Sequence, residues 1–151
     1  MNLGILVRNL QDEEIAKPLL ESINKTNLSV GCFVLEIKTP KIECNLPIFH
    51  SNEIWGVDFP IIATCTQSAY NMINSPGAPS KYLYLWDMEW VKLKQKWFSE
   101  LRYIYTNPNL KIIARSKNIE TAVTNFFGSS VIGIVDNFDI DKIYEVIKND
   151  K

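Results

Sequence analysis

The chain has 151 residues, of which 46% are hydrophobic and 22% are charged. This balance is that of an ordinary globular domain with a full core, and it does not favour long disordered segments. Lys and Arg together number 16 and Asp and Glu 17, so the formal net charge is −1. Because phosphate contacts need a basic surface, this charge disfavours nucleic-acid binding through bulk electrostatics.

The sequence also bears on where the protein is located in the cell. No apolar run approaches the roughly 18 residues of a membrane helix, and the N-terminus has neither a basic leader nor a small-residue cleavage site. We therefore expect no membrane span and no signal peptide. Cys32, Cys44 and Cys65 form no CxxC pair, which suggests reduced packing thiols in a cytoplasmic protein. We expect no metal site and no resident cofactor.

The first half of the chain predicts four or five strands and two helices. Leu3 to Val7 is an apolar run, typical of a strand buried on both faces. Asp12 is a suitable N-cap for a helix to about residue 25, with a kink or a later start at Pro18. The further predicted elements are a strand over 30–37, short strand candidates over 46–49 and 53–57, a clear strand over 60–65 and a short helix over 68–73.

In the second half, strands and helices alternate. The predicted strands cover 81–86, 110–114 and 131–135, and the predicted helices cover 88–106, 117–127 and 139–148. The first of these helices is the longest, and its apolar spacing predicts an inward face made of Val91, Trp97, Phe98, Leu101, Ile104 and Tyr105. Gly128 is a good helix C-cap. The alternation predicts a single α/β domain over residues 1–151, Rossmann-like and doubly wound, with a mostly parallel sheet and helices on both faces.

Several common catalytic motifs are absent from the sequence. The first strand is followed by the segment RNLQD (residues 8–12) instead of a glycine-rich turn, so a nucleotide-binding GxGxxG motif is missing. There is no phosphate-binding GxxxxGK[ST] loop, no GxSxG elbow and no HExxH. His50 is the only histidine. It is the default candidate for a general base because it alone titrates near neutral pH, although a lone histidine is more often structural.

Ligands of doubly wound sheets bind beyond the carboxyl ends of the strands, where the strand order reverses. Asp87 and Glu89 follow the strand over 81–86, and Trp86 and Trp90 lie beside them. Carboxylates accept hydrogen bonds from sugar hydroxyls, and indole faces cover the C–H side of a pyranose ring. The alternative is that Asp87 caps a helix, Glu89 is a first-turn acid and the tryptophans belong to the core.

Other strand ends carry polar residues that suit a ligand. Thr64, Thr66 and Ser68 lie where a strand passes into a helix, so they suit either an anion or sugar oxygen, or simple helix capping. Arg115 ends another strand as a candidate phosphate or carboxylate ligand, with Ser116 equally suited to cap the next helix. Arg8, followed by Asn9, occupies the corresponding position on the first strand.

The order of these segments resembles a known pattern. The segments are IIATCTQSAYNMI (61–73), SKYLYLWDMEW (80–90), LKIIARSKNIETAVTNFFGSSV (110–131) and IGIVDNFD (132–139). Together they resemble the N-terminal half of a GT-B glycosyltransferase, of the family-4 and rhamnosyltransferase-like type. The matching motifs are a small-residue turn over 64–69, an aromatic-Asp-x-Glu segment over 86–89, a hydrophobic-Ala-x-Ser segment over 113–116 and an Asn-x-Asp segment over 137–139.

The resemblance implies an acceptor-side or glycan-binding role. The implied substrate-binding residues are Arg8, Asn9, Thr64, Ser68, Asp87, Glu89, Trp90, Arg115 and Ser116, and the candidate catalytic residues are His50 and Asp87. The chain departs from the family in its first turn, which lacks glycine, and the 151 residues do not contain the family's second domain, which carries the nucleotide-sugar site. We therefore expect a separate donor-domain partner or a homodimer. The alternatives are a non-catalytic interaction module and a small nucleotide-binding or flavodoxin-like regulator.

Overall fold

The structure, a computed structural model, describes residues 1–38, 46–92 and 97–150. Its central feature is one sheet in which every neighbouring pair of strands is parallel. The strand order is β3-β2-β1-β4-β5-β6-β7. The strands are β1 (Leu3–Val7), β2 (Val30–Val34), β3 (Ile48–His50), β4 (Ile61–Ala63), β5 (Lys81–Leu85), β6 (Leu110–Ala114) and β7 (Val131–Ile134).

Helices cover both faces of this sheet. The helices are α1 (Glu13–Ile23), α2 (Thr66–Ile73), α3 (Phe98–Tyr105), α4 (Lys117–Phe127) and α5 (Ile140–Asn149), with 3-10 turns over Ser51–Gly56 and Glu89–Lys92. Residues of α1 and α5 share one buried apolar cluster with β1 and β2, whereas residues of α2, α3 and α4 share a second cluster with β4, β5 and β6. The predicted doubly wound, Rossmann-like α/β arrangement is confirmed.

The strand order reverses between β1 and β4. From β1 the chain proceeds outward through β2 to β3, and it then returns to place β4 on the other side of β1. The central strands are in register, since Leu6 pairs with Ala63 and Ala63 pairs with Leu83. Because parallel strands end at the same edge, the segments that follow β1, β4 and β5 converge there, at the position where doubly wound sheets bind ligands.

Most predicted elements exist, but several bounds differ. β2 ends at Val34 rather than residue 37, where Ile37 is exposed. The strand candidate over 53–57 is wrong, because residues 53–56 belong to a 3-10 turn and Val57 is its C-cap. The turn is nucleated by a reciprocal cap in which His50 Nδ1 accepts the N–H of Asn52, while a Glu53 carboxylate oxygen accepts the N–H of His50. The spacing of apolar residues alone does not predict this local contact.

Pro18 does not delay the first helix. α1 begins at Glu13, and the Asp12 carboxylate caps it by accepting the N–H of Glu14 at 3.1 Å. The proline removes one backbone hydrogen bond. Leu19 and Leu20 are both buried beside it, so packing of the apolar face stabilises the helix around the proline.

The long aromatic helix predicted over 88–106 is the largest error in secondary structure. The described part of this stretch contains a 3-10 turn over Glu89–Lys92 and α3, which begins only at Phe98; residues 93–96 lie outside the described residues. Half of the predicted inward face points outward, because Val91, Trp97 and Phe98 are exposed, and only Leu101, Ile104 and Tyr105 are buried.

From β6 onward the structure follows the prediction closely. β6 and α4 have the predicted bounds, Ser116 caps α4, and Gly128 ends it in the left-handed region with φ 73°. Cys32 is fully buried, as expected of a packing residue, whereas Cys65 is only partly buried and Cys44 lies outside the described residues. None of the helices described here is both long and apolar enough to cross a membrane.

Candidate ligand-binding crevice

A crevice of about 280 Å³ opens at the carboxyl edge of the sheet, between the segments that follow β1, β4 and β5. This is the position that the strand reversal predicts. Eleven polar or aromatic residues line it: Arg8, Asn9, Asp12, Glu14, Thr64, Cys65, Gln67, Trp86, Asp87, Glu89 and Lys92. Asn9, Thr64, Asp87 and Glu89, all predicted from the sequence, therefore share one site with Arg8.

The turn after β1 presents a carboxylate at the start of α1. Asp12 both lines the crevice and caps the helix. Asn9 fixes the preceding turn, because its side-chain oxygen accepts the N–H of Gln11 at 2.9 Å. A glycine-rich turn would leave these backbone N–H groups open to a phosphate. Here side-chain oxygens of the chain itself accept two of them.

The turn after β4 is held by Ser68. Its hydroxyl accepts the N–H groups of Thr64 and Cys65, both at 3.1 Å, and donates to the carbonyl of Cys65 at 2.9 Å. Ser68 is fully buried and lies outside the crevice lining. It therefore shapes the turn and does not reach a ligand. Burial raises the pKa of the Cys65 thiol, which keeps it protonated.

Glu89 reaches across the crevice to the start of α2. One of its carboxylate oxygens accepts the backbone N–H of Thr66 at 2.7 Å and the Thr66 hydroxyl at 2.8 Å. The N-terminus of a helix favours negative charge, and this is the position that a phosphate takes in many nucleotide sites. In this chain a side chain from a segment 23 residues away occupies it.

The two cations at the crevice are already paired. Arg8 Nε lies 3.0 Å from a Glu36 carboxylate oxygen, and this contact raises the pKa of Arg8. Lys92 Nζ lies 2.5 Å from an Asp87 carboxylate oxygen, and the Asp87 side chain keeps 39% of its surface exposed. The crevice therefore combines carboxylates at two helix N-termini with cations that carboxylates partly neutralise. This arrangement disfavours a phosphate-bearing ligand and suits a neutral, hydroxyl-rich one.

Arg115 and Ser116 lie at the carboxyl edge of β6, outside the crevice lining. Arg115 is held internally, since its guanidinium lies 3.8 Å from the centre of the Trp86 ring and its Nη2 donates to the Asn137 side-chain oxygen at 3.2 Å. Ser116 caps α4 by accepting the N–H of Ile119. Neither residue meets the Asp87 site.

The tryptophans do not offer open faces to a ligand in the crevice. Trp86 is 8% exposed and stacks on Phe138 with ring centres 5.0 Å apart. Trp90 is 6% exposed and packs edge-on against Tyr105 and Phe127. Trp90 is therefore not positioned to stack on a ligand. The alternative, that both tryptophans belong to the core, agrees with their burial.

His50 stands apart from Asp87. It ends β3, an edge strand separated from β1 by β2, and it does not line the crevice. Asp87 follows β5, which is four strands from β3, and neighbouring strands are about 4.8 Å apart, so the two strands are about 19 Å apart. The ring of His50 caps the Ser51–Gly56 turn. The two candidate catalytic residues are thus not brought together.

Several lining residues were not singled out from the sequence. Gln67 is in the first turn of α2, and Lys92 is at the end of a 3-10 turn. The position of Gln67 follows from the strand reversal once β4 is known, whereas Lys92 depends on a turn that the helical pattern obscured. Within residues 1–38, 46–92 and 97–150, no cluster of three or more His, Cys, Asp or Glu side chains is arranged to hold a metal ion.

No protein-family model matches the chain, no curated protein matches its sequence, and no solved structure matches its fold.

Proposed function

We propose that this chain binds the acceptor glycan of a glycosyl transfer reaction in the crevice, and that a separate donor domain or subunit supplies the nucleotide sugar. The observation that carries the proposal is the pair of capped helices, with the carboxylate of Asp12 at α1 and that of Glu89 at α2. Both positions would otherwise attract phosphate. The free thiol of Cys65 fits a cytoplasmic setting.

The polar groups of the crevice suit a sugar. Hydroxyl groups donate and accept, so they pair with carboxylates and with amides alike. Asp87 supplies acceptors, while the amides of Asn9 and Gln67 supply both donors and acceptors, and all three residues line the same cavity. A neutral sugar can meet these groups without the repulsion that a diphosphate would encounter from the Asp12 and Glu89 carboxylates.

Asp87 is the residue best placed to assist the transfer. A sugar hydroxyl attacks the anomeric carbon of the donor, its proton passes to the Asp87 carboxylate, and the bond to the leaving nucleoside diphosphate breaks. Lys92 Nζ lies 2.5 Å from this carboxylate. The position of Asp87 in the crevice and its partial exposure support this role, and the donor enters from outside the crevice.

Calorimetric titration with methyl glycosides and with nucleotide sugars tests the proposal. We expect glycosides to bind and UDP-, GDP- and dTDP-sugars not to bind. Asp87→Asn should weaken glycoside binding by about tenfold, because a hydrogen bond to a charged group is replaced by a neutral one. Asp58→Asn is the matched control, since Asp58 is exposed and lies outside the crevice lining. Equal losses in the two variants, or nucleotide-sugar binding at micromolar affinity, would contradict the proposal.

A non-catalytic interaction module is the second candidate, and one observation favours it. Phe98 and Phe126 are 42% and 56% exposed and meet edge-on with ring centres 5.9 Å apart. Exposed neighbouring aromatic side chains are typical of protein interfaces. Sedimentation velocity on the wild type and on Phe126→Ala tests this candidate, because an interface used for self-association gives a dimer that the variant weakens.

A further inference from the structure

A second cavity of about 570 Å³ continues from the crevice along the surface between α2 and α3. Three residues line both cavities, namely Arg8, Gln67 and Glu89. Beyond them the lining includes Tyr70 of α2, together with Trp97 and Glu100. We call this second cavity the aromatic groove. Because its lining is shared with the crevice, a ligand seated in the crevice can extend into it.

Two exposed aromatic side chains, Tyr70 and Trp97, line the aromatic groove. Tyr70 is 49% exposed, and the ring of Tyr103 meets it at close to a right angle with centres 6.4 Å apart. Trp97 is 46% exposed. Rings held in this way present apolar area at low cost in side-chain freedom. Glu100 is exposed beside them and is free of the helix-capping role that Glu89 has.

We propose that the aromatic groove binds a second sugar ring of the acceptor, so that the acceptor is an oligosaccharide rather than a monosaccharide or a lipid-linked sugar. This inference rests on the proposed function. A sugar ring combines an apolar C–H face, which suits Tyr70, with hydroxyl groups, which pair with Gln67 and Glu100. An acyl or prenyl chain would instead remove water from Arg8 and from the carboxylates of Glu89 and Glu100 without replacing their hydrogen bonds.

The sizes of the two cavities agree with this assignment. Small-molecule sites generally measure about 300–1,000 Å³. The crevice, at about 280 Å³, falls just below this range, and the aromatic groove, at about 570 Å³, lies within it. A single sugar ring in the crevice would leave the aromatic groove empty, whereas a disaccharide would occupy part of both cavities.

Titration with three kinds of probe tests the inference. The probes are methyl glycosides of glucose, mannose and galactose, methyl disaccharides ending in the same sugars, and octyl glucoside below its micellar concentration. We expect at least one disaccharide to bind about three- to tenfold more tightly than its monosaccharide, which is the gain that one aromatic contact gives. A gain for octyl glucoside without a gain for any disaccharide would overturn the inference, as would equal affinity for both sugar lengths.

The variant Tyr70→Ala assigns the gain to the aromatic groove. It should abolish the advantage of the disaccharide and leave the affinity of the monosaccharide unchanged. Trp55→Ala is the control, because Trp55 is 63% exposed and lies outside both cavity linings. An equal loss in the control would overturn the inference. So would a wild-type dimer that Tyr70→Ala dissociates, because the face would then be covered by a second copy.

Failure of this inference is distinguishable from failure of the proposed function. If monosaccharides bind near Asp87 and disaccharides gain nothing, the aromatic groove is not a sugar subsite, but the acceptor role stands. If no glycoside of either length binds, both proposals fail together.

Discussion

Removing the Glu89 side chain should destabilise the protein well beyond what is usual for a surface acid. The carboxylate accepts two hydrogen bonds from Thr66, at 2.7 and 2.8 Å, and it faces the N-terminus of α2. Glu89 is only partly exposed. Hydrogen bonds to a charged group contribute about 1.5–3 kcal/mol, and the helix dipole adds a few tenths to about 1 kcal/mol at such a site.

We therefore expect Glu89→Ala to lower the free energy of unfolding by about 2–3 kcal/mol. For a chain of this length, 1 kcal/mol corresponds to about 2–4 °C in Tm, so the variant should melt about 5–10 °C lower. Glu89→Gln keeps an acceptor but loses the charge, and it should cost about 1 kcal/mol. Urea unfolding followed by circular dichroism measures both values.

The control is Glu145→Ala, because Glu145 is an exposed residue of α5 outside the crevice. Its substitution should change stability by less than about 0.5 kcal/mol. Glu89→Ala has a second expected effect, since the uncovered N-terminus of α2 should acquire measurable affinity for inorganic phosphate. If Glu89→Ala is as stable as the control, or if it binds no phosphate, the interpretation of Glu89 as an internal substitute for a bound anion is refuted.

Three further predictions concern backbone strain, alkaline pH and thiol reactivity. Gly128→Ala should lower the free energy of unfolding in urea by about 1 kcal/mol, because φ is 73° there and no atom crowds the position. Gly56 is equally uncrowded but has no positive φ, so Gly56→Ala should leave stability nearly unchanged. Burial raises the pKa of Tyr84 to about 12, against about 10 when unfolded, so its contribution to stability is full below pH 10 and is lost by up to about 2 kcal/mol between pH 10 and 12. Tyr84→Phe should reduce this alkaline loss. It should also lower the free energy of unfolding by about 1–3 kcal/mol at neutral pH, because the Tyr84 hydroxyl accepts the buried N–H of Phe138. If the variant loses stability at alkaline pH as steeply as the wild type, Tyr84 is not the group responsible. Cys65 should react with iodoacetamide more slowly at pH 8 in the native than in the urea-unfolded protein, as followed by peptide mass spectrometry, and equal rates would contradict its raised pKa.

The sheet could be predicted from the sequence because its strands are buried on both faces. All residues of β1 and β2 are buried, so these strands are continuous apolar runs, while polar breakers separate them from their neighbours. The handedness of the connections restricts the possible strand orders, whereas the reversal between β1 and β4 is seen only in the structure. The alternating pattern of the back half needed no long-range information.

The aromatic segment after β5 could not be predicted in the same way. Trp97 and Phe98 fit a helical spacing, yet both are exposed, and only the last turns of the predicted helix pack inward. A spacing pattern records which residues share a face, but it does not show whether that face meets the core or a ligand.

The candidate site could be predicted in position but only partly in chemistry. The strand reversal locates Asn9, Thr64 and Asp87 at one edge, as their places after β1, β4 and β5 require. The contact between Glu89 and Thr66 spans 23 residues and depends on a turn geometry that no local pattern encodes. It is also the contact that most reduces the affinity expected for phosphate.

The most direct test of the central claim is a side-by-side titration of the isotopically labelled chain, followed by ¹⁵N–¹H correlation spectra, with methyl glycosides and disaccharides in one series and UDP-, GDP- and dTDP-sugars in the other. The acceptor-side account predicts that glycosides shift the amide signals of Asn9, Thr64 and Asp87, and that nucleotide sugars leave them in place. Nucleotide sugars that shift these signals at micromolar concentrations, without any effect of glycosides, would contradict it.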